Sequence, residues 1–583
     1  METFESDSFV IDFVQHALKA AIKGDRDGYD QMVMMMDPSA NVITNDPALR
    51  KEQEDKDALL VATLGSLSEV ASLIHVTHHQ SLYSSILGMS LWQCNPIVAD
   101  SLVDLVVCLA SSSGSYLDAC LDMLVCHFIA PPNASIYFGR RWHFVKNSVV
   151  DRVFSAFENI FALVPLSPMR LLPIILKRMP SKYEKHNDII LYVECMLRLE
   201  GTNIGNYIGS SLLKSVVDRL VDLDVDVKFE DIAETSDPWE IVKDSGKTKN
   251  IFKENKVSET LDSLMTITCK HLEQSFNDGR FAKVFETLMD SFQKSVLTAY
   301  KSKFVQFLIF FACSLDPDTY SVEFSRRLLC IFLSDNEPPL RRTSAVSYLG
   351  SYLSRAKFVS PTLVASVLKS LVNWCLQYCK IVDDNIGILT SRNHEIFYSA
   401  CQAVMYILCF QMSLVIEDFN DMPLEHVLFH TLDPLKACLP STVKEFLRQA
   451  NAVNLFTKDN AFMPDLSREV VGLERHDVFF PFDPYLLRES ERFIQPHFQF
   501  WSMVKPPYDT DDDEKESSNE DFDDVRKLTS LGSNSTSTSG QDIPKRGSDD
   551  EIDCSMEAMS ITPKDTFIHQ ALQMPARIRP SSS

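Results

Sequence analysis

The chain has 583 residues, 45% hydrophobic and 23% charged, enough for several ordinary cores and typical of a folded, soluble protein. Only 17 glycines leave little room for tight turns and phosphate-cradling loops, which argues for helices and against an α/β nucleotide enzyme. The net charge is −24, and residues 1–507 alone carry 63 acids against 48 bases. Non-specific nucleic-acid affinity grows with the phosphates that Lys and Arg neutralise, so broad DNA or RNA binding is disfavoured and basic protein partners are favoured.

In chain order, the first element is an amphipathic stretch over Phe9–Ala21, followed by a polar segment, so residues 1–56 read as one helix and a loop. Residues 57–227 read as paired helices. The first pair is 101–110 with 116–128 around a serine turn. The next are 149–163 with 169–178, and 188–199 with 208–223. The pairs recur at about 40 residues, the period of HEAT and armadillo arrays. The expected fold class is therefore all-α, a HEAT-repeat-like superhelical solenoid. Charged residues, Asp-Pro and Ser-Gly mark 228–259 as a loop or insertion. A second helical array is expected over 260–505.

Within that array, Ala345, Leu349, Tyr352, Leu353 and Ala356 form one apolar stripe, which predicts a buried helix closed by Arg355 and Lys357 before Pro361. The Phe479–Pro484 segment sets aromatics between prolines and predicts a rigid, non-helical piece held by packing. Residues 506–583 are acidic and Ser-rich, too poor in apolar surface to offset the entropy of ordering, and are expected to be a disordered tail.

The longest apolar runs, Phe304–Leu315 and Val404–Ile416, are shorter than the ~18 residues of a membrane span, so they are expected to be core helices. An acidic N-terminus lacks the pattern of a secretory signal, and 14 scattered cysteines suit a reducing compartment. No Walker A sequence, G-x-G-x-x-G, G-x-S-x-G or H-E-x-x-H is present. His75, His78 and His79 have helical ligand spacing but no further ligands at fixed intervals, so a partly exposed helix face is the stronger reading. Cys375 and Cys379, one turn apart, read as core. The expectation is a non-enzyme without metal or cofactor.

Serines carry more information. Ser111, Ser112, Ser113 and Ser115 sit in the turn of the first helix pair, where ordinary turn chemistry and capping account for any one of them. Ser167 precedes Pro168 and is either an N-cap or a proline-directed phosphorylation site. Arg341-Arg342-Thr343-Ser344 fits a basophilic kinase at Ser344. Ser517, Ser518 and Ser548, each followed by acids, fit acidophilic kinases.

Five blocks in order, SYLGSYLSRAKFV, LVNWCLQYC, FYSACQAVMYILCF, LDPLKACLPSTV and VFFPFDPYLLRES, resemble the RNA polymerase I-specific transcription initiation factor family. LVPLSPMRLLPIILKRMP and LVDLDVDV upstream extend the likeness to roughly 102–501. The resemblance implies a phosphorylation-regulated factor that binds RNA polymerase I subunits and bridges them to promoter-bound initiation factors in the nucleus and nucleolus, with cytoplasmic shuttling possible. It implies polymerase docking by the N-terminal repeats, and Ser111, Ser112, Ser113, Ser115, Lys146, Ser167, Arg170 and Lys177 are the candidates there. It likewise turns the C-terminal repeats toward the promoter complex, with Arg355, Lys357, Phe479, Phe480, Phe482 and Asp483 as candidates. The alternative from the residues alone is a HEAT-type nuclear transport or assembly scaffold for basic protein cargo.

Overall fold

The structure is a computed structural model that describes residues 2–36, 47–227, 248–299, 302–384, 394–419, 422–456, 480–482 and 485–508. Among the described residues there is no strand, only an isolated antiparallel bridge between Ala356 and Phe498. Two compact units form: Met1–Asp222 with Asn277–Leu288, and Leu223–Phe276 with Met289–Ser583.

In the first unit the helices are α1 (Glu2–Lys23), α2 (Asp27–Met35), α3 (Pro47–Glu69), α4 (Gln80–Gly88), α5 (Pro96–Ser112), α6 (Gly114–Cys126), α7 (Ala134–Phe138), α8 (Trp142–Leu163), α9 (Ser167–Arg178), α10 (His186–Glu200) and α11 (Gly205–Asp226). They pack in two rows. One runs α1, α3, α5, α8 and the other α2, α4, α6, α9, with α1 on α2, α5 on α6 and α8 on α9 closing the pairs. This is how amphipathic helix pairs bury their apolar faces when each pair has only its neighbours to pack on. Val98, Leu102, Leu105, Val106 and Leu109 of α5 are buried, and so are Leu117, Cys120, Leu121 and Leu124 of α6.

Ion pairs tie successive pairs together at the surface. Arg152 of α8 holds Asp100 of α5 (2.6 Å), and Arg170 and Arg178 of α9 hold Asp118 and Asp122 of α6. Arg198 of α10 in turn holds Asp151 of α8 (2.7 Å). Exposed pairs of this kind contribute little stability each, but they set the register between repeats.

The sequence-based boundaries need two corrections. The loop expected over Asp37–Asp55 lies outside the described residues from 37 to 46, and α3 begins at Pro47, where a proline at the first helical position loses no hydrogen bond. Of the expected 228–259 loop, 228–247 lies outside the described residues, and from Thr248 the chain is helical. The histidine cluster is not helical either: residues 76–79 form a turn, with His79 buried.

The second unit contains α12 (Thr248–Asn277), α13 (Phe281–Ser291, shared with the first), α14 (Phe307–Leu315), α15 (Val322–Leu333), α16 (Pro339–Arg355), α17 (Pro361–Asp384), α18 (Glu395–Phe419), α19 (Leu424–Leu428), α20 (Pro434–Ala437), α21 (Pro440–Ala452) and the single turn α22 (Glu491–Ile494). α16 packs on α15 and α18, and α18 on α17 and α21. The expected stripe is there: Ala345, Leu349, Tyr352, Leu353 and Ala356 are all buried, together with Val346 and Tyr348 on other faces. α18 is apolar and long enough by composition to cross a membrane over Glu395–Val415, but 83% of that window is buried inside the protein. It is the core helix of this unit.

Candidate functional site

The serine turn is built by two helix ends. Ser111 and Ser112 close α5, their hydroxyls donating back to the Cys108 and Leu109 carbonyls at 3.0 and 2.8 Å. Ser113 is the N-cap of α6, its Oγ accepting from the Ser115 backbone N–H at 3.4 Å and lying 3.0 Å from the Ser115 hydroxyl. All four serines and Gly114 are exposed. Capping and accessibility therefore coexist, because these bonds are short-range and leave the loop surface open to solvent.

The expected basic candidates are differently placed. Lys146 is half-buried and reaches Glu194 of α10 at 2.9 Å. Arg170 forks onto Asp118. Lys177 is exposed beside the Arg178–Asp122 pair, in which the Arg178 guanidinium holds the Asp122 carboxyl below its usual range. Two of the three cations are thus already committed within the fold.

Ser167 departs from expectation. It is the first residue of α9 rather than its N-cap, and only 3% of it is exposed. Leu166 precedes the helix without a side-chain cap. A kinase needs the hydroxyl in the open, so the buried Ser167 is a packing residue in this conformation. Ser344 is half-exposed on α16. The arginine before its motif serves the fold: Arg342 donates through Nε to the Phe332 carbonyl (2.8 Å) and through Nη1 to Asp335 (2.8 Å).

In the second unit, residues 480–482 and 485–508 run back over the helices. Phe482 is 0% exposed, its ring set against Phe307 (5.3 Å), Phe310 (5.4 Å) and Tyr348 (5.8 Å), and its N–H donates to Ser351 Oγ at 3.1 Å. Phe480 stacks on Tyr406 at 4.0 Å. Further along, Asp262 accepts from the Glu489 and Ser490 backbone N–H groups at 2.8 and 2.9 Å and from the Ser490 hydroxyl.

Arg355 is also 0% exposed. Its guanidinium lies over Phe410 (4.5 Å), Phe498 (5.3 Å) and Tyr406 (5.9 Å), and Nη1 donates to the Gln499 carbonyl at 3.1 Å. Gln499 N–H donates back to the Arg355 carbonyl at 2.7 Å, and Lys357 N–H to that of His497 at 3.0 Å. Arg355 and Phe482 are therefore buried and pin the returning segment, a correction to their expected place at a partner-binding surface. Lys357 is exposed. Phe479, Asp483, Ser517, Ser518 and Ser548 lie outside the described residues. The expected tail start also shifts, since Tyr508 still packs beneath Arg448 at 3.6 Å and donates to Glu445 at 2.8 Å.

Two histidines are buried, His127, which the sequence does not single out, and His79, which it places on a partly exposed helix face. His127 accepts the Leu91 N–H at Nε2 (2.9 Å) and donates from Nδ1 to the Met123 carbonyl (2.8 Å). Burial lowers its pKa to about 4. His79 bridges the His75 N–H (2.9 Å) and the Leu18 carbonyl (3.0 Å), and burial lowers its pKa also. The only sequence signal for His127 is a histidine among apolar residues, which does not reveal a partner. Among the described residues no group of three or more His, Cys, Asp or Glu side chains is placed to hold a metal.

Stacked helix pairs with an exposed serine turn, and a second helical unit pinned by residues 480–482 and 485–508, define an all-α helical-repeat protein. Comparison with known proteins specifies it. A profile described as RNA polymerase I specific transcription initiation factor RRN3 matches residues 3–506, and the chain belongs to that family. The RNA polymerase I-specific transcription initiation factor RRN3 of Mus musculus is 26% identical over 522 residues, covering 79% of this chain and 78% of the mouse protein. The Schizosaccharomyces pombe factor rrn3 is 24% identical over 464 residues, covering 70% and 74%. A crystal structure of RNA polymerase I transcription initiation factor Rrn3 superposes with a TM-score of 0.66 at 21% identity, covering 86% of this chain and 99% of that one, and shows the same fold.

Proposed function

We propose that this protein is a non-catalytic initiation factor that binds RNA polymerase I and recruits it to promoter-bound factors at ribosomal RNA genes, acting in the nucleolus. The exposed serine turn between α5 and α6 carries the reading. Polymerase docking uses the face bearing Ser111, Ser112, Ser113 and Ser115, with the Arg170–Asp118 pair one helical turn further along α6; Lys146 and Lys177 are further candidates on the same unit. A phosphate on the turn adds about −1.5 to −2 charges and repels an acidic or apolar partner, so kinases set the strength of docking. Ser344 and the tail serines Ser517, Ser518 and Ser548 are further acceptor sites in this scheme. The C-terminal unit meets the promoter-bound factors, with Lys357 as its exposed candidate.

The test is retention of purified RNA polymerase I, with RNA polymerase II as control, on the immobilised full-length chain. The expected result is selective retention of polymerase I and a nucleolar signal for the tagged protein in cells. Equal retention of both enzymes, or of neither, contradicts the proposal.

A further inference from the structure

The first unit presents a second surface of different character. Residues 136–144 read Ile-Tyr-Phe-Gly-Arg-Arg-Trp-His-Phe, and Ile136, Tyr137 and Phe144 are 80%, 65% and 75% exposed. Such large side chains are held out of the core by how this segment is anchored. Phe138 stacks on Trp142 (6.4 Å), and Trp142 stacks on Trp92 (5.8 Å), so two aromatics fasten the segment and free the others. The backbone is bent on both sides of α7: Asn133 has φ +62° and Gly139 φ +49°, the left-handed region that most side chains avoid. Glycine and asparagine adopt that region at least cost, so both bends are built into the sequence.

The charge is equally distinct. No Asp or Glu occurs between Asp122 and Asp151, in a chain that holds 80 acids. Arg140, Arg141 and His143 are exposed within that stretch. Arg152, Arg170, Arg178 and Arg198 each hold an acid on a neighbouring helix, whereas among the described residues the side chains of Arg140 and Arg141 make no ion pair or hydrogen bond.

From this juxtaposition of three exposed apolar side chains with two uncommitted arginines, we infer that residues 136–144 dock an acidic segment of a partner protein that carries aromatic or aliphatic residues between its carboxylates. Tyr, Phe and Arg are the residue types that dominate interface energetics, and Arg grips carboxylates through two parallel hydrogen bonds. Charge complementarity selects the acid. At physiological salt the screening length is about 8 Å, so the two arginines of the segment weigh more in a contact there than the distant acids of the chain do. Nucleic acid fits less well, because affinity for it accumulates over many phosphate contacts and this patch offers two arginines. The inference does not depend on the polymerase reading.

Fluorescence anisotropy on the full-length protein tests it. The probes are a labelled peptide alternating Asp/Glu with Phe/Leu, the same peptide with Ala at every Phe and Leu, and a labelled single-stranded RNA of mixed sequence. The first peptide should bind saturably and the Ala version at least about tenfold more weakly. Arg140→Gln with Arg141→Gln, and separately Tyr137→Ala with Phe144→Ala, should each weaken the first peptide about tenfold or more. Both pairs are exposed, so the thermal transition should stay unchanged and a folding defect is separable. The inference is overturned by equal affinity for the two peptides, by binding that neither double variant changes, or by RNA binding tighter than peptide and lost in Arg140→Gln/Arg141→Gln. Polymerase retention scored separately tells failure here from failure of the proposed function.

Discussion

Single buried polar residues set much of this protein's conditional stability. His127 is neutral in the fold, with both ring nitrogens engaged and a pKa of about 4 against 6.5 when exposed. Its folded pKa is the lower one, so the unfolded chain takes the proton first. The stabilisation is complete above pH 6.5 and declines as pH falls toward 4, by about 3 kcal/mol in all. We predict a thermal midpoint of the first unit that drops over this window, and a shallower drop in His127→Gln; identical slopes would refute the assignment. Arg355 makes the complementary case. Removing a fully buried guanidinium from over three rings and from the Gln499 carbonyl forfeits charge-assisted bonding of about 1.5–3 kcal/mol and cation–π attraction of about 2 kcal/mol. Arg355→Ala should therefore lower the denaturation midpoint of the second unit by several degrees and render residues 485–508 protease-sensitive. A protected segment in that variant would show that the clamp lies elsewhere.

Among the helices, close approach sets the tolerances. A Cβ on Gly350 of α16 would stand 2.8 Å from the Ala403 Cβ of α18, and one on Gly205 would stand 1.9 Å from the Glu200 carbonyl oxygen. Overpacking of this kind costs about 1–3 kcal/mol. Gly350→Ala should destabilise the second unit by that much in chemical denaturation, while Gly65→Ala, which meets nothing within 4 Å, should not. The serine turn divides differently. Ser113→Ala loses the α6 cap and about 1 kcal/mol, whereas Ser111→Ala and Ser115→Ala should be nearly silent. This contrast also marks what a sequence conveys. The α16 stripe was legible because 3.6-residue periodicity is local, and so was the Ser-Gly punctuation after α5. That Arg355 and Phe482 face inward was not, because their burial comes from Phe498 and Phe307, distant in sequence. Ser167 likewise reads as a cap from Ser-Pro alone, and only the packing of α9 buries it.

For the molecule as a whole, helix pairing at a period of about 40 residues announced an all-α repeat architecture, and acidic composition pointed away from general nucleic-acid binding. The acid-free stretch from residue 123 to 150 was equally visible in the sequence, but which of its cations lacked partners required the ion pairs of α6, α8, α9 and α10. The central claim is that the exposed turn between α5 and α6 is a charge-sensitive part of the polymerase-docking face. The most direct measurement is retention of purified RNA polymerase I by full-length wild-type protein and by the Ser111→Asp, Ser112→Asp, Ser115→Asp triple variant, with Ser113 kept so that the α6 cap survives. The expected result is retention by the wild type, at least about tenfold weaker binding by the variant, and the same thermal transition for both. Undiminished retention by the equally stable variant would contradict it.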